Sequence, residues 1–349
     1  MRRRERRCGG SGGTGETCNE GHVGGTASST PPCGRADRPA RGRAWAELLR
    51  LPALFSVPGD ALAGTAAAGA PPNARTLLAI GSSLCLYEAG MALNDWADRE
   101  VDAVERPHRP LPSGRIRPAA ALTAACALTG AGLALAARAG RPALAVAAPL
   151  AATVWAYDLT LKHTPAGPVA MGAARGLDLL LGAAATTGRT RPALSSAALL
   201  GTHTLAVTTV SRQEARGGSS LAPLAALATT ALLTRVVTHR PSDHRGAAAH
   251  GLLGPRATPP PGAALGRKPT AHLTTALAAA YVAATARPYF HATLNPSPPL
   301  TQRAVGAGIR ATIPLQATLT ARSKGTATAL LIAALAPLGA RFAKKVSVT

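Results

Sequence analysis

Asn94-Asp95-Trp96-Ala97-Asp98-Arg99-Glu100-Val101-Asp102 is followed at once by Ala103-Val104-Glu105-Arg106-Pro107-His108-Arg109-Pro110-Leu111-Pro112-Ser113-Gly114-Arg115. The chain has only 16 acidic residues, and five of them stand between Asp95 and Glu105. After Arg106 four remain: Asp158, Asp178, Glu214 and Asp243. If 94–105 is helical, Asp95, Asp98 and Asp102 stand at i, i+3 and i+7 and fall on one face, with Asn94 and Glu105 flanking it and Glu100 pointing away. Three carboxylates on one stripe repel unless a cation neutralises them. Hard oxygen ligands in that arrangement suit Mg²⁺, which shares its shell with substrate phosphates. Pro107, Pro110 and Pro112 cannot continue a helix, so a loop follows. It carries Arg106, Arg109 and Arg115, whose guanidiniums match phosphate oxygens. Carboxylates for metal beside guanidiniums for phosphate make a diphosphate site. The alternative is a solvated charged loop between two apolar segments.

The rest of the chain gives that site its setting. Apolar runs succeed one another at about 51–70, 76–93, 118–137, 142–157, 166–187, 192–210, 220–238, 271–287 and 326–342. Most approach the length of a membrane-spanning helix. A further run at 304–320 contains Arg310 and Pro314 and reads as a short interfacial or re-entrant helix, or as a tenth span. The expectation is an all-α polytopic membrane bundle of about nine transmembrane helices over 45–349. Residues 1–44 are rich in Arg, Gly, Ser, Thr and Pro and read as a disordered basic tail. They hold no signal-peptide core, and the glycines at 9–15 lead to no phosphate-binding loop.

The formal charge of +22 raises the question of nucleic acid. The basic residues interleave with apolar runs, and aromatic residues for stacking are 3% of the chain, so anionic membrane lipid is the expected partner and nucleic acid is not. Cys8, Cys18 and Cys33 lack metal-ligand spacing, and Cys85 and Cys126 fall in apolar runs as buried thiols. The irregularly spaced His239, His244 and His250 make no metal motif. The distribution of Lys and Arg places the tail and loops 94–117, 158–165 and 211–218 on the cytoplasmic side of the cell membrane. Loop 239–270, with its five basic residues, fits that topology poorly.

Charges inside the spans are the remaining candidates. Arg175 and Asp178, i and i+3 in the fifth run, are either a structural ion pair or part of a substrate pocket. Asp60 has no local partner and is expected to line that pocket. Glu88 either extends the site or is a protonated structural group. Tyr157 and Asp158 end the fourth run, with Lys162 close behind; the tyrosine is an interfacial anchor or a site residue.

Taken together, Asn94-Asp95-x-x-Asp98-x-x-x-Asp102 and the Arg/Pro loop ending Pro112-Ser113-Gly114 resemble the first aspartate-rich motif of the UbiA superfamily of intramembrane prenyltransferases. Tyr157 to Lys162 resembles that family's tyrosine and basic loop. Val57-Pro58-Gly59-Asp60, Ser211-Arg212-Gln213-Glu214 and Ile313-Pro314-Leu315-Gln316-Ala317 resemble its EboC-like actinobacterial branch. The resemblance implies that Asn94, Asp95, Asp98 and Asp102 hold Mg²⁺ on an isoprenyl diphosphate donor. It implies that Arg106, Arg109, Lys162 and Arg212 neutralise the departing diphosphate. Tyr157 then shields the allylic cation, and a lipophilic, aromatic or other membrane-accessible acceptor captures it. The family's second motif has two or more aspartates, whereas this chain has Glu214 alone, between Arg212 and Arg216. Glu214 holds a second metal, or Arg212 replaces it. A CDP-alcohol phosphotransferase is the alternative enzyme, but its Asp-Gly-x-x-Ala-Arg signature is absent around Asp95. A non-catalytic isoprenoid-binding or transport protein of the same fold is the reading from a different class.

Overall fold

The computed structural model describes residues 37–213, 218–239 and 268–347. Among them every regular element is helical. Helix α1 (Asp37–Leu48) leads into a 3-10 segment, Leu51–Ser56, and α2 (Val57–Ala67). Then come α3 (Ala74–Ala97), α4 (Arg99–Glu105), α5 (Pro118–Ala139) and α6 (Arg141–Ala156), which runs into a π-helical turn at Tyr157–Leu161. The bundle continues with α7 (Gly167–Thr187), α8 (Leu194–Ser211), α9 (Leu221–Thr238), α10 (Lys268–Leu294), α11 (Pro298–Arg322) and α12 (Thr326–Ser347).

Among the described residues six segments are long and apolar enough to cross a membrane: α3, α5, 141–161, α7, 191–211 and α9. Their outward faces carry Leu77, Leu205, Leu224 and Leu232, exposed to what is hydrocarbon in a bilayer. Cys126 stands on such a face of α5, exposed rather than buried, because that face has no helix packed over it. The chain is a multi-pass helical membrane protein.

Two runs differ from their sequence reading. The first, 51–70, is not one long span: Pro52 and Pro58 start separate pieces, and α2 has 11 residues. The doubtful run at 304–320 belongs to α11, a continuous helix of 25 residues. Pro314 does not break it, although its ring has no N–H to give the carbonyl of Arg310; one turn on, Thr318 Oγ1 donates to Pro314 O at 2.7 Å. Its low hydropathy reflects position. Ala311, Leu315, Gln316 and Leu319 are buried against other helices rather than facing lipid. Helix α1 also starts inside the stretch assigned to the tail. Its Ala44 and Leu48, i and i+4, are fully buried beside Leu93 and Ile116. Residues 1–36 lie outside the described residues.

Helix α7 is the axis of the bundle, touching α2, α6 and α8. Two glycines make the α2–α7 crossing close. A Cβ on Gly64 of α2 would meet Leu179 O at 1.8 Å, and one on Gly182 of α7 would meet Ala61 O at 2.1 Å. Backbone meets backbone here, as small residues allow between membrane helices. Thr65 Oγ1 lies 2.9 Å from Thr186 Oγ1, which is 2.8 Å from Thr76 Oγ1, so α2, α3 and α7 share a hydroxyl chain. Leu179, Leu200, Tyr281 and Leu315 form the apolar centre of α7, α8, α10 and α11.

Candidate active site

The acidic stretch is almost, but not fully, one helix. Helix α3 ends at Ala97, Asp98 sits at the junction with φ −88° and ψ 1°, and α4 begins at Arg99. The consequence is a division of the three aspartates. Arg109 Nη1 reaches Asp102 Oδ2 at 2.6 Å and Asp95 Oδ1 at 3.6 Å, so those two carboxylates share one guanidinium nitrogen. Asp98 turns to Lys162 Nζ at 2.5 Å, with His163 Nε2 at 4.0 Å. The single three-carboxylate face is therefore corrected to a pair and a neighbour. Glu100 points away, exposed and paired with Arg99. Arg106 adds a weaker contact to Asp102 Oδ1 at 3.6 Å. Arg115 is engaged elsewhere, with Glu47 at 2.7 Å and with His108 O, and so braces the Arg/Pro loop against α1.

Sequence reading missed Arg50. It stands between α1 and the 3-10 segment in the left-handed region, φ 49°, where a non-glycine residue is strained. Its Nη2 donates to Asp95 Oδ1 at 3.0 Å. No motif marks this arginine, because the contact spans 45 residues of chain.

The three predicted loops meet. The Asp98–Lys162 pair joins the first to the second. Arg212 Nη1 donates to Thr164 O and joins the third to the second. Glu214 and Arg216 lie outside the described residues.

Below this polar end a cavity of about 440 Å³ opens between α3, α6, α7, α8 and α11. Arg50, Asn94, Tyr157, Asp158 and Ser211 line one end. Asn94 Nδ2 donates to Asp158 Oδ1 at 3.1 Å. The π turn that begins at Tyr157 puts both Tyr157 and Asp158 on the cavity wall. Leu86, Met91, Leu150, Val154, Met171 and Val207 make most of the wall apolar.

Of the buried charges, Arg175 and Asp178 line the cavity and Asp60 and Glu88 do not. Asp60 is fully buried behind Arg175, its Oδ2 3.0 Å from Arg175 Nε, because α2 crosses α7 so closely. Gln316 Nε2 donates to Asp60 Oδ1 at 2.6 Å and to Ser56 O at 2.8 Å. Glu88 is buried on α3, and neither of its oxygens has a hydrogen-bond partner among the described residues. His203, not singled out in the sequence, lines the cavity with both nitrogens used. Nε2 is 3.0 Å from the carbonyl of Gly308, so it carries the proton, and Nδ1 accepts from Tyr281 Oη at 3.0 Å. Removing one partner of a buried pair strands the other charge, at about 3–5 kcal/mol. Asp60→Ala is expected to lower the thermal midpoint of the purified protein, read by tryptophan fluorescence, and Glu100→Ala to leave it unchanged.

The donor set fits a hard divalent cation. Asp95 and Asp102 are 5% and 2% exposed, offer only carboxylate oxygens, and are neutralised among the described residues by guanidiniums alone. Two carboxylates suffice for Mg²⁺ when phosphate oxygens complete the shell. No cluster of three acidic, His or Cys ligands exists among the described residues.

The model of the UbiA prenyltransferase family matches residues 55–297. The chain belongs to the UbiA prenyltransferase family. Digeranylgeranylglyceryl phosphate synthase of Methanothrix thermoacetophila is 39% identical over 112 residues, 32% of this chain and 42% of that protein. The Methanopyrus kandleri protein of the same name is 37% identical over 128 residues, 35% of this chain and 45% of that one. Protoheme IX farnesyltransferase of Acidiphilium cryptum is 35% identical over 152 residues, 41% and 47%. The chain thus spans less than half the length of these curated relatives. Among solved structures, the apo UbiA homologue from Aeropyrum pernix K1 has a TM-score of 0.57 at 19% identity, covering 76% of this chain and 96% of that one. The Archaeoglobus fulgidus homologue bound to DMAPP and Mg²⁺ has a TM-score of 0.51 at 16% identity, covering 77% and 98%. At these identities the structures share the fold with this UbiA-family chain.

Proposed function

We propose that this UbiA-family protein transfers an isoprenyl group from its diphosphate to a lipophilic or other membrane-accessible acceptor, with Mg²⁺ held at Asp95 and Asp102. The observation that carries the reading is the placement of that buried, guanidinium-bridged pair beside the polar end of an apolar cavity. Bound Mg²⁺ supplies Lewis-acid charge to the diphosphate. Arg50, Arg106, Arg109 and Lys162 bind its oxygens and take up the negative charge that grows as the carbon–oxygen bond breaks. Arg212 adds charge from the third loop. The prenyl tail lies along Leu86, Leu150 and Val154, away from water. Tyr157 presents its ring to the allylic cation, and Asp158, held by Asn94, takes the acceptor's proton. Asp98 holds Lys162 in place from the neighbouring loop.

Purified protein in nanodiscs, given labelled geranylgeranyl diphosphate, Mg²⁺ and a membrane extract, is expected to form a labelled product that is extracted into solvent and lacks diphosphate. Mg²⁺-dependent donor binding with no product would instead favour the isoprenoid-binding reading. The UbiA homologue with DMAPP and Mg²⁺ bound supports the donor class.

The finer assignments rest on residues of this chain. Placement in the EboC-like branch is proposed on the likeness of the three segments alone; two of them touch in this chain, through Gln316 and Asp60. Glu214 is the proposed ligand of a second metal. Glu214→Gln is then expected to raise the Mg²⁺ concentration needed for half-maximal activity, while an unchanged titration would assign that charge to Arg212. The joined loops are proposed to face the cytoplasm at the cell membrane. Single cysteines at Ser113, His163 and Ser219 are expected to react with an impermeant maleimide only in inside-out vesicles. Labelling of any one from the opposite side would break up the three-loop site.

A further inference from the structure

The cavity has a second polar end, remote from the diphosphate residues. Arg175 and Asp178 follow Gly167, the first residue of α7, by eight and eleven positions. At 1.5 Å per residue they lie roughly 12 and 16 Å along the helix from its loop end. On α3, Ser83 stands eleven positions before Asn94, roughly 16 Å below it. Two helices thus place these groups near mid-membrane. A prenyl tail gives such groups nothing to bind, and burying them there is costly.

The construction of this end fixes its charge and its free valences. Arg175 Nε pairs with Asp60 and Nη2 donates to Ser56 O at 3.3 Å, so two of five N–H groups are used. The other three have no acceptor among the described residues, and 15% of the side chain remains open on the cavity. Ser83 Oγ donates to Asp178 Oδ1. One guanidinium stands among two carboxyls, so the cluster carries no net positive charge. Thr312, on the facing wall from α11, adds a hydroxyl with no partner among the described residues. The assembly is rigid: Gln316 clamps Asp60, and a Cβ on Gly59 would lie 2.2 Å from Gln316 Oε1.

A cluster with no net positive charge that offers guanidinium N–H donors, hydroxyls and carboxyl acceptors does not select an anion. It matches groups that donate and accept at once, which are hydroxyls. We propose that the inner end of the cavity is an acceptor subsite for a neutral polyhydroxylated group, with Arg175 and Asp178 as the specificity-determining residues. This rests on the transferase reading above, and it separates the acceptor from a carboxylate- or phosphate-bearing one at this position.

The test is made on the product. Nanodisc-embedded full-length protein is incubated with labelled geranylgeranyl diphosphate, Mg²⁺ and a fractionated cell extract, and the labelled lipid is purified. The expected product gains at least two acetyl groups with acetic anhydride and passes through an anion exchanger unretained. A product with an acidic group, or with fewer than two free hydroxyls, overturns the subsite while leaving the transferase intact. No labelled product at all overturns the transferase reading first. With the purified acceptor fraction, Arg175→Gln and Asp178→Asn are expected to raise the acceptor KM at least tenfold while the donor KM stays within twofold. A donor KM that rises equally in both variants would assign the cluster a structural role.

Discussion

Asp95→Ala and Asp102→Ala are each expected to abolish Mg²⁺-dependent prenyl transfer, with a loss of at least roughly 10²–10³ in turnover. Both carboxylates are buried, and both rest on the same nitrogen of Arg109. Without either, the two-carboxylate ligand set for the ion is halved and Arg109 loses part of its anchorage. Asp95→Asn and Asp102→Asn keep the shape while removing the charge, so folding is checked by their thermal midpoints. Asp98→Ala is expected to behave differently. Its partner is Lys162, on another loop, so the loss is in donor affinity and responds to Lys162 rather than to Mg²⁺ concentration. Glu100→Ala, on an exposed residue, is expected to match wild type. The readout is initial rate against Mg²⁺ for each variant. Equal losses at Asp95, Asp98 and Asp102 with an identical Mg²⁺ response would return the three to a single face.

Gly182→Val and Gly64→Val are expected to have the largest effect on stability. At both positions the first atom a side chain would meet is a backbone carbonyl on the facing helix, 2.1 Å and 1.8 Å from the new Cβ. No rotamer relieves such a contact, so α2 and α7 must separate. Overpacking typically costs about 1–3 kcal/mol, and parting the buried Asp60–Arg175 pair adds about 3–5 kcal/mol. The same separation pulls Asp60 from Arg175, so the cavity's inner end is lost with the packing. Gly130→Ala is the control: it stands on an exposed face of α5 with nothing within 4 Å. That change is expected to be neutral or to stabilise by up to about 1 kcal/mol, as alanine suits a helix better. Monodispersity on size exclusion and the thermal midpoint read both. A Gly182→Val protein as stable as wild type would refute the close crossing.

These contrasts mark what a sequence can carry. Asp95, Asp98 and Asp102 were legible because a helix converts spacing into a face, and because acids are scarce in this chain. The break at Asp98 was not, since the Lys162 that turns it away comes from a loop about 64 residues distant, a consequence of tertiary packing that local propensity cannot hold. Spans facing lipid announced themselves by unbroken apolar runs. Helix α11 did not, because a helix enclosed by others needs small and polar residues rather than continuous hydrophobicity. Arg175 and Asp178 were visible as charges in an apolar run, but Asp60 was assigned to the pocket for want of a local partner. Its partners, Arg175 and Gln316, lie 115 and 256 positions away. Arg50 and His203 carried no signal: one depends on a left-handed turn, the other on a tyrosine and a carbonyl from two later helices.

The account turns on where the divalent ion sits. Crystals of the full chain grown with Mn²⁺ and geranylgeranyl thiodiphosphate, a donor that ionises slowly, would place the ion by its anomalous scattering. The expected peak lies between the carboxylates of Asp95 and Asp102 and the diphosphate oxygens, with Arg109 moved from its bridge onto the phosphates. A peak absent from that position, with the diphosphate held by arginines alone and both carboxylates still bound to Arg109, would contradict it.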